Sequence, residues 1–157
     1  MYFKHFTRLF LLIGMLGLLP VPMRADEIQI GSGTATDVNL PSHSYYKYSL
    51  TQQIYTATEI EDAGGGPGTI NSIAFYNGGS AKTRNFSIYL VTTDKTSFAN
   101  SSDWLTVTAN DLVYSGNVEM TAEAWTSITF STPFSYDGSN LAVIVDDNTR
   151  SDANGMK

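Results

Sequence analysis

From Asp26 onward, short runs of β-branched and aromatic residues alternate with clusters of Gly, Asn, Asp, Ser and Pro, and no long helical period interrupts them. That punctuation predicts an all-β chain folded as an antiparallel β-sandwich. Glu27 to Ile30 reads as a first short strand and Tyr45 to Tyr55 as a second segment rich in Tyr and Thr. Gly64 to Gly68, with Pro67 among the glycines, reads as a sharp turn between two strands, because glycine permits positive φ and proline stops a ladder. In Thr69 to Tyr76, Ile73 and Phe75 fall on one face and Ala74 and Tyr76 on the other. Asn77-Gly78 is the strongest hairpin signal in the chain. Its predicted partner is Asn85 to Thr92, where Phe86, Ile88 and Leu90 alternate with Ser87, Tyr89 and Val91. The link from Asn77 to Arg84 exceeds a tight turn, which predicts a loop whose basic tip, Lys82 and Arg84, is solvated.

Asp94 to Asp103 is polar and loop-like, and Trp104 to Val107 brings an apolar cluster back to the body of the domain. Leu112 to Tyr114 and Val118 to Met120 flank Ser115, Gly116 and Asn117, which predicts a second hairpin or a bulged strand. Trp125 to Phe130 reads as a strand that Pro133 ends. Leu141 to Val145 is nearly all apolar, as a central strand covered on both faces must be. Only polar residues follow it, so its outer neighbours are unaccounted for, and a sandwich incomplete at its C-terminus is expected.

The amino-terminal segment supplies an address. Lys4 and Arg8 are basic, Leu9 to Leu19 is apolar, Pro20 and Pro22 break the run, and Ala25 is a small residue before Asp26, so Met1 to Ala25 reads as a secretory signal peptide. The run is too short to span a bilayer, and no later one is longer. Cleavage after Ala25 leaves 132 of the 157 residues, one β-sandwich domain from 26 to 157. The expected localisation is secreted or cell surface. Losing Lys4, Arg8 and Arg24 takes the net charge from −6 to −9, which excludes a phosphate-backbone partner, since nucleic acid needs a basic face. Cysteine is absent, and with it disulfides, thiolate nucleophiles and thiolate zinc sites.

Catalytic patterns are missing. His43 is the sole histidine of the mature chain and has neither a thiol nor a nucleophile-elbow motif to work with. Gly64 to Gly68 lacks the Lys-Ser/Thr ending of a phosphate loop. Glu59 and Glu61 share a face if they lie on a strand, the pairing glycoside hydrolysis uses, yet adjacent exposed carboxylates also occur with no such purpose. Asp146, Asp147 and Asn148, directly after the central strand, read either as an Asp/Asn turn whose side chains bond their own backbone or as oxygen ligands on one turn, for which calcium is the metal expected, although Arg150 and Ser151 do not fit an EF-hand loop. Tyr45, Tyr46, Tyr48, Tyr55, Trp104 and Trp125 are rings on which a sugar can stack, or core partners between strands. Tyr46 and Trp104 are the ligand-binding candidates.

Several blocks taken in order resemble the adhesin-type β-sandwich modules of secreted Bacteroidetes proteins, related to the cleaved-adhesin domains of gingipain-like proteases and haemagglutinins. They are Ser49 to Tyr55 with Glu59-Ile60, Gly68 to Tyr76, and Phe86 to Leu90 leading into Thr93 to Phe98 and Trp104. Tyr114-Ser115-Gly116 with Trp125-Thr126 continues the order, as do Thr132 to Gly138 and Asn140 to Thr149. Where glycine is usual after the Asp-Asp-Asn-Thr run, this chain has Arg150. The resemblance implies a jelly-roll sandwich, a non-catalytic role in adhesion to a glycan or extracellular protein, calcium in some members, and further domains of the same polypeptide. An ancillary carbohydrate-binding or targeting domain of a secreted protease or glycosidase is the alternative it leaves open.

Overall fold

The computed structural model describes residues 27–31, 34, 36–43 and 45–150; the expected signal peptide, Met1 to Ala25, and the tail from Ser151 lie outside them. The described chain is an antiparallel β-sandwich. Its elements are β1 (Ser49–Tyr55), α1 (Ala57–Asp62), β2 (Gly68–Asn77), β3 (Lys82–Thr93), β4 (Leu112–Met120), β5 (Ala124–Tyr136) and β6 (Asn140–Asp147). One sheet has the order β1-β6-β3-β4, and β2 pairs with β5 to form the other.

Alternation along β6 explains the layering. Leu141, Val143 and Val145 point into the intersheet core with Phe86, Ile88 and Leu90 of β3, and meet Phe75, Ile128, Phe130 and Tyr136 from the other sheet. Ala142 and Ile144 are equally buried but face the opposite way, as strand pleating requires. On that outer face Ile144 lies beside Gln52 of β1, whose amide donates to the Leu105 carbonyl at 2.8 Å and accepts from the Leu105 N–H at 2.9 Å. A side-chain amide thus imitates one rung of a ladder and fastens the segment 94–108 across the outer face. The expected double coverage of Leu141 to Val145 is met, one layer being a sheet and the other a loop.

Several expectations change. β6 already has a neighbour on each side, β1 and β3, so the unaccounted flanks inferred for it are upstream strands. Glu27 to Ile30 is not a strand; Ile28 and Ile30 pack irregularly against the core. Asn77-Gly78 does not close a hairpin, because β2 pairs with β5 while β3 pairs with β4 and β6, so the chain changes sheets there. The reason lies in Asn77 itself. Its buried amide donates to the carbonyls of Ser80 (3.0 Å) and Thr121 (2.9 Å) and accepts from the Gly79 N–H (3.2 Å), tying together the two chain segments at this corner.

Pro133 does not end β5, which runs on to Tyr136. Between the pairs Ile70–Phe134 and Ser72–Thr129 the register shifts, and Pro133 sits in that irregular stretch, where its missing N–H breaks no ladder bond. Ser115-Gly116-Asn117 is not a hairpin: β4 runs through it in regular register with Asn85, Phe86 and Ser87, and the bulge lies farther upstream, at Val113 between the pairs Ile88–Tyr114 and Tyr89–Leu112. Gly64 to Gly68 joins a helix to a strand. The helix is α1, closed at its start by a capping box in which Thr56 Oγ1 accepts from the Glu59 N–H (3.2 Å) and Glu59 Oε2 accepts from the Thr56 N–H (2.7 Å).

Replacing Asn77 by Ala takes away the three hydrogen bonds to Ser80, Thr121 and Gly79, residues that are themselves exposed, so a loss of about 1–2 kcal/mol is expected. Urea denaturation monitored by tryptophan fluorescence measures it, with an unchanged slope if only the native corner is affected.

Candidate ligand-binding surfaces

The Asp146-Asp147-Asn148 cluster was expected on one turn, but β6 extends through Asp147, so the two aspartates alternate faces. Asp146 pairs with Leu50 and Ser87 on the outer face; Asp147 lies between Ser49 and Phe86 on the inner one. The Asp147 carboxylate is fully buried and bonded at both oxygens. Oδ2 takes the Arg84 guanidinium, and Oδ1 accepts from the Thr149 N–H (3.0 Å) and hydroxyl (2.6 Å). Thr149 Oγ1 in turn accepts from the Asn85 N–H at 2.8 Å. Arg84, expected at a solvated loop tip, is buried because β3 begins at Lys82 and puts Arg84 on the Phe86, Ile88 and Leu90 face.

A guanidinium therefore stands where calcium was expected, and the one carboxylate aimed inward is already neutralised. Among the described residues no three His, Asp or Glu side chains gather as a metal-holding group. Glu59 and Glu61 lie on α1, not on a strand, where a spacing of two residues puts side chains on different faces. Glu59 is held below the ordinary carboxylate range by the Thr56 N–H and then the Thr56 hydroxyl, the signature of a cap and not of a general acid. A cavity of about 280 Å³ between the sheets is edged by Asp111 and Asp137, but both serve local turns. Asp111 accepts from the Thr108 N–H (2.7 Å), and Asp137 from the Ser139 N–H (2.9 Å).

The aromatics behave differently from core residues. Tyr45 is 72% exposed, Tyr46 and Tyr48 56% each, Trp104 51% and Trp125 46%; Tyr55 alone of the six is partly buried, against the core. They form separate surfaces. His43, Tyr45 and Tyr46 touch one another, with ring centroids 4.6 Å apart for His43–Tyr46 and 5.3 Å, edge to face, for Tyr45–Tyr46. Trp125 meets Tyr76 across β2 and β5 at 5.8 Å. Trp104 shares a groove of about 360 Å³ with Gln52, Phe98, Asn100, Ser101 and Asp103.

The loop carrying Phe98 and Trp104 is pinned from within. Asp103 Oδ2 accepts from the Ala99 N–H (2.9 Å), and Oδ1 receives the Lys95 ammonium (2.6 Å). Those two contacts, the backbone bond first, hold the Asp103 carboxyl below its ordinary range. Trp104 Nε1 donates to the Ser101 carbonyl at 2.8 Å, which fixes the indole plane. Nothing in the sequence marked Gln52 as the side chain that positions this loop, since its partner Leu105 lies far along the chain. Among the described residues no helix is long and apolar enough to cross a membrane. Comparison of the chain with protein-family models, with curated proteins and with solved structures finds no match.

Two outcomes are expected from these geometries. Asp147→Asn strands a buried guanidinium and should cost about 3–5 kcal/mol in urea unfolding, whereas Arg84→Met combined with Asp147→Leu should recover part of that loss. Asp103 has a folded pKa below its unfolded one, so its contribution is present above the unfolded value and is lost as pH falls through the folded one. Trp104 emission, read in a Trp125→Phe variant, should therefore be constant from neutral pH down to about pH 4 and change below it.

Proposed function

We propose that this chain is an exported, non-catalytic binding module that presents aromatic side chains to a glycan or an extracellular protein. One observation carries the reading: of the six candidate rings, Tyr45, Tyr46, Tyr48, Trp104 and Trp125 are exposed and Tyr55 alone packs against the core. Tyr and Trp are large and amphipathic and carry few rotatable bonds, so they give much contact area for little ordering entropy. Exposing them forgoes burial worth roughly 1.5–3 kcal/mol for a large apolar side chain, a cost that recognition would offset. The ordered resemblance to adhesin-type modules and the secretory leader at Met1 to Ala25 point the same way. The net acidity of the mature chain disfavours polyanionic partners.

The exported chain, its new terminus at Asp26 checked by amino-terminal sequencing, should be screened on immobilised saccharides and on immobilised extracellular-matrix proteins. Binding to at least one class is expected. Alanine at Tyr46 or Trp104 should weaken it while moving stability by only about 0.5 kcal/mol, as for other exposed positions. Retention on neither array, at micromolar to millimolar concentration, would leave a structural spacer as the better reading.

A further inference from the structure

Resting on that reading, we propose that the Phe98–Trp104 groove is a subsite for a neutral saccharide, with Trp104 as its stacking platform. The groove holds about 360 Å³, near the lower end of the roughly 300–1,000 Å³ typical of small-molecule sites, which suits a short segment of a chain better than a branched macromolecular surface.

What is left free in the groove sets the ligand chemistry. Its anion, Asp103, is neutralised by Lys95 at 2.6 Å, so the site offers a charged ligand no unpaired counter-ion. The Gln52 amide is committed at both ends to Leu105, and the indole N–H to Ser101. The Asn100 side-chain Oδ1 accepts from the Ser102 N–H at 2.9 Å, which leaves the side-chain amide nitrogen, with the Ser101 hydroxyl, to meet a ligand. A partner must therefore combine an apolar face for the rings with hydroxyl groups for one amide and one hydroxyl. A pyranose ring has that composition: axial C–H groups on one face and hydroxyls at its edge.

The platform is preorganised. Asp103 closes the loop on Ala99, Gln52 anchors Leu105 to β1, and the Ser101 carbonyl holds the indole plane, so little ordering remains to be done on binding. Trp104 lines this groove, whereas the cavity edged by Asp111 and Asp137 is lined by none of the five exposed rings, so the assignment falls here.

The test uses the mature chain carrying Trp125→Phe, in which Trp104 is the sole tryptophan. Cello-, laminari-, manno- and xylo-tetraose serve as neutral probes, with polygalacturonate and heparin as charged ones. At least one neutral probe should shift Trp104 emission and shield it from acrylamide. Titration calorimetry reads the variants that lack tryptophan: Trp104→Ala should weaken that binding about tenfold or more, the equivalent of about 1.4 kcal/mol, with Trp104→Phe falling between. Asn100→Ala should reduce affinity with little change in stability, since the bond it gives up to the Ser102 N–H is exposed.

A saccharide that binds equally well to Trp104→Ala, or that leaves Trp104 unshielded, overturns the groove assignment while the binding-module reading stands. Binding to matrix proteins alone does the same. Preference for the charged probes overturns the neutral-ligand assignment.

Discussion

Burying both faces of β6 is the constraint from which the rest of the sandwich follows. Five consecutive residues, Leu141 to Val145, are removed from water, and a strand shows them alternately to opposite sides. The second sheet covers Leu141, Val143 and Val145, but it has only two strands and lies on one side. Ala142 and Ile144 must then be covered by something else, and the chain between β3 and β4 does it. Gln52 supplies the link, donating and accepting as a backbone peptide would without lengthening the sheet.

That solution has a consequence for the surface. In the extended stretch 104–108, Leu105 and Val107 are half-buried while Trp104, Thr106 and Thr108 are exposed. Alternation that turns Leu105 and Val107 toward the sheet turns Trp104 out. The same pinning that seals the outer face thus fixes an aromatic ring at its edge. The hydrogen bonds that seal the sheet are the ones that hold the groove, which is why the groove can be rigid although it is built on a loop.

How much of this was legible in the sequence depended on the range of the interactions involved. Phe86, Ile88 and Leu90, and the unbroken run Leu141 to Val145, declare their strands because the period-two pattern is local. Arg84 was readable by the same rule, lying two residues before Phe86 and so on its face, but the hairpin signal of Asn77-Gly78 outweighed it. That dipeptide specifies a change of direction, and whether the strands on either side pair is decided by tertiary partners, here Ser80 and Thr121 at the ends of two different connections. The capping box Thr56-Ala57-Thr58-Glu59 was a local signal for α1 that the strand reading of Glu59 and Glu61 passed over, because the helix is too short to show a period. The groove around Trp104 was not legible beyond the tryptophan itself, since Gln52 and Leu105 meet across 53 positions of sequence.

The buried pair of Arg84 and Asp147 has a different logic from the core around it. An apolar pair of similar volume would serve stability as well or better, because two desolvated ions recover their hydration cost only when every remaining donor and acceptor is satisfied. Thr149, Ser42 and Asn85 provide that satisfaction: Thr149 bonds the carboxylate, Ser42 Oγ lies 3.5 Å from the guanidinium, and Asn85 donates to Thr149. These residues come from the segment before β1, from β3 and from the residues after β6. A directional network across three segments specifies which strand lies beside which, since a register slip of one residue on β3 would put Arg84 on the outer face and leave Asp147 buried alone. The pair therefore acts as a register lock for the central sheet, in a chain that has no disulfide to fix its strands.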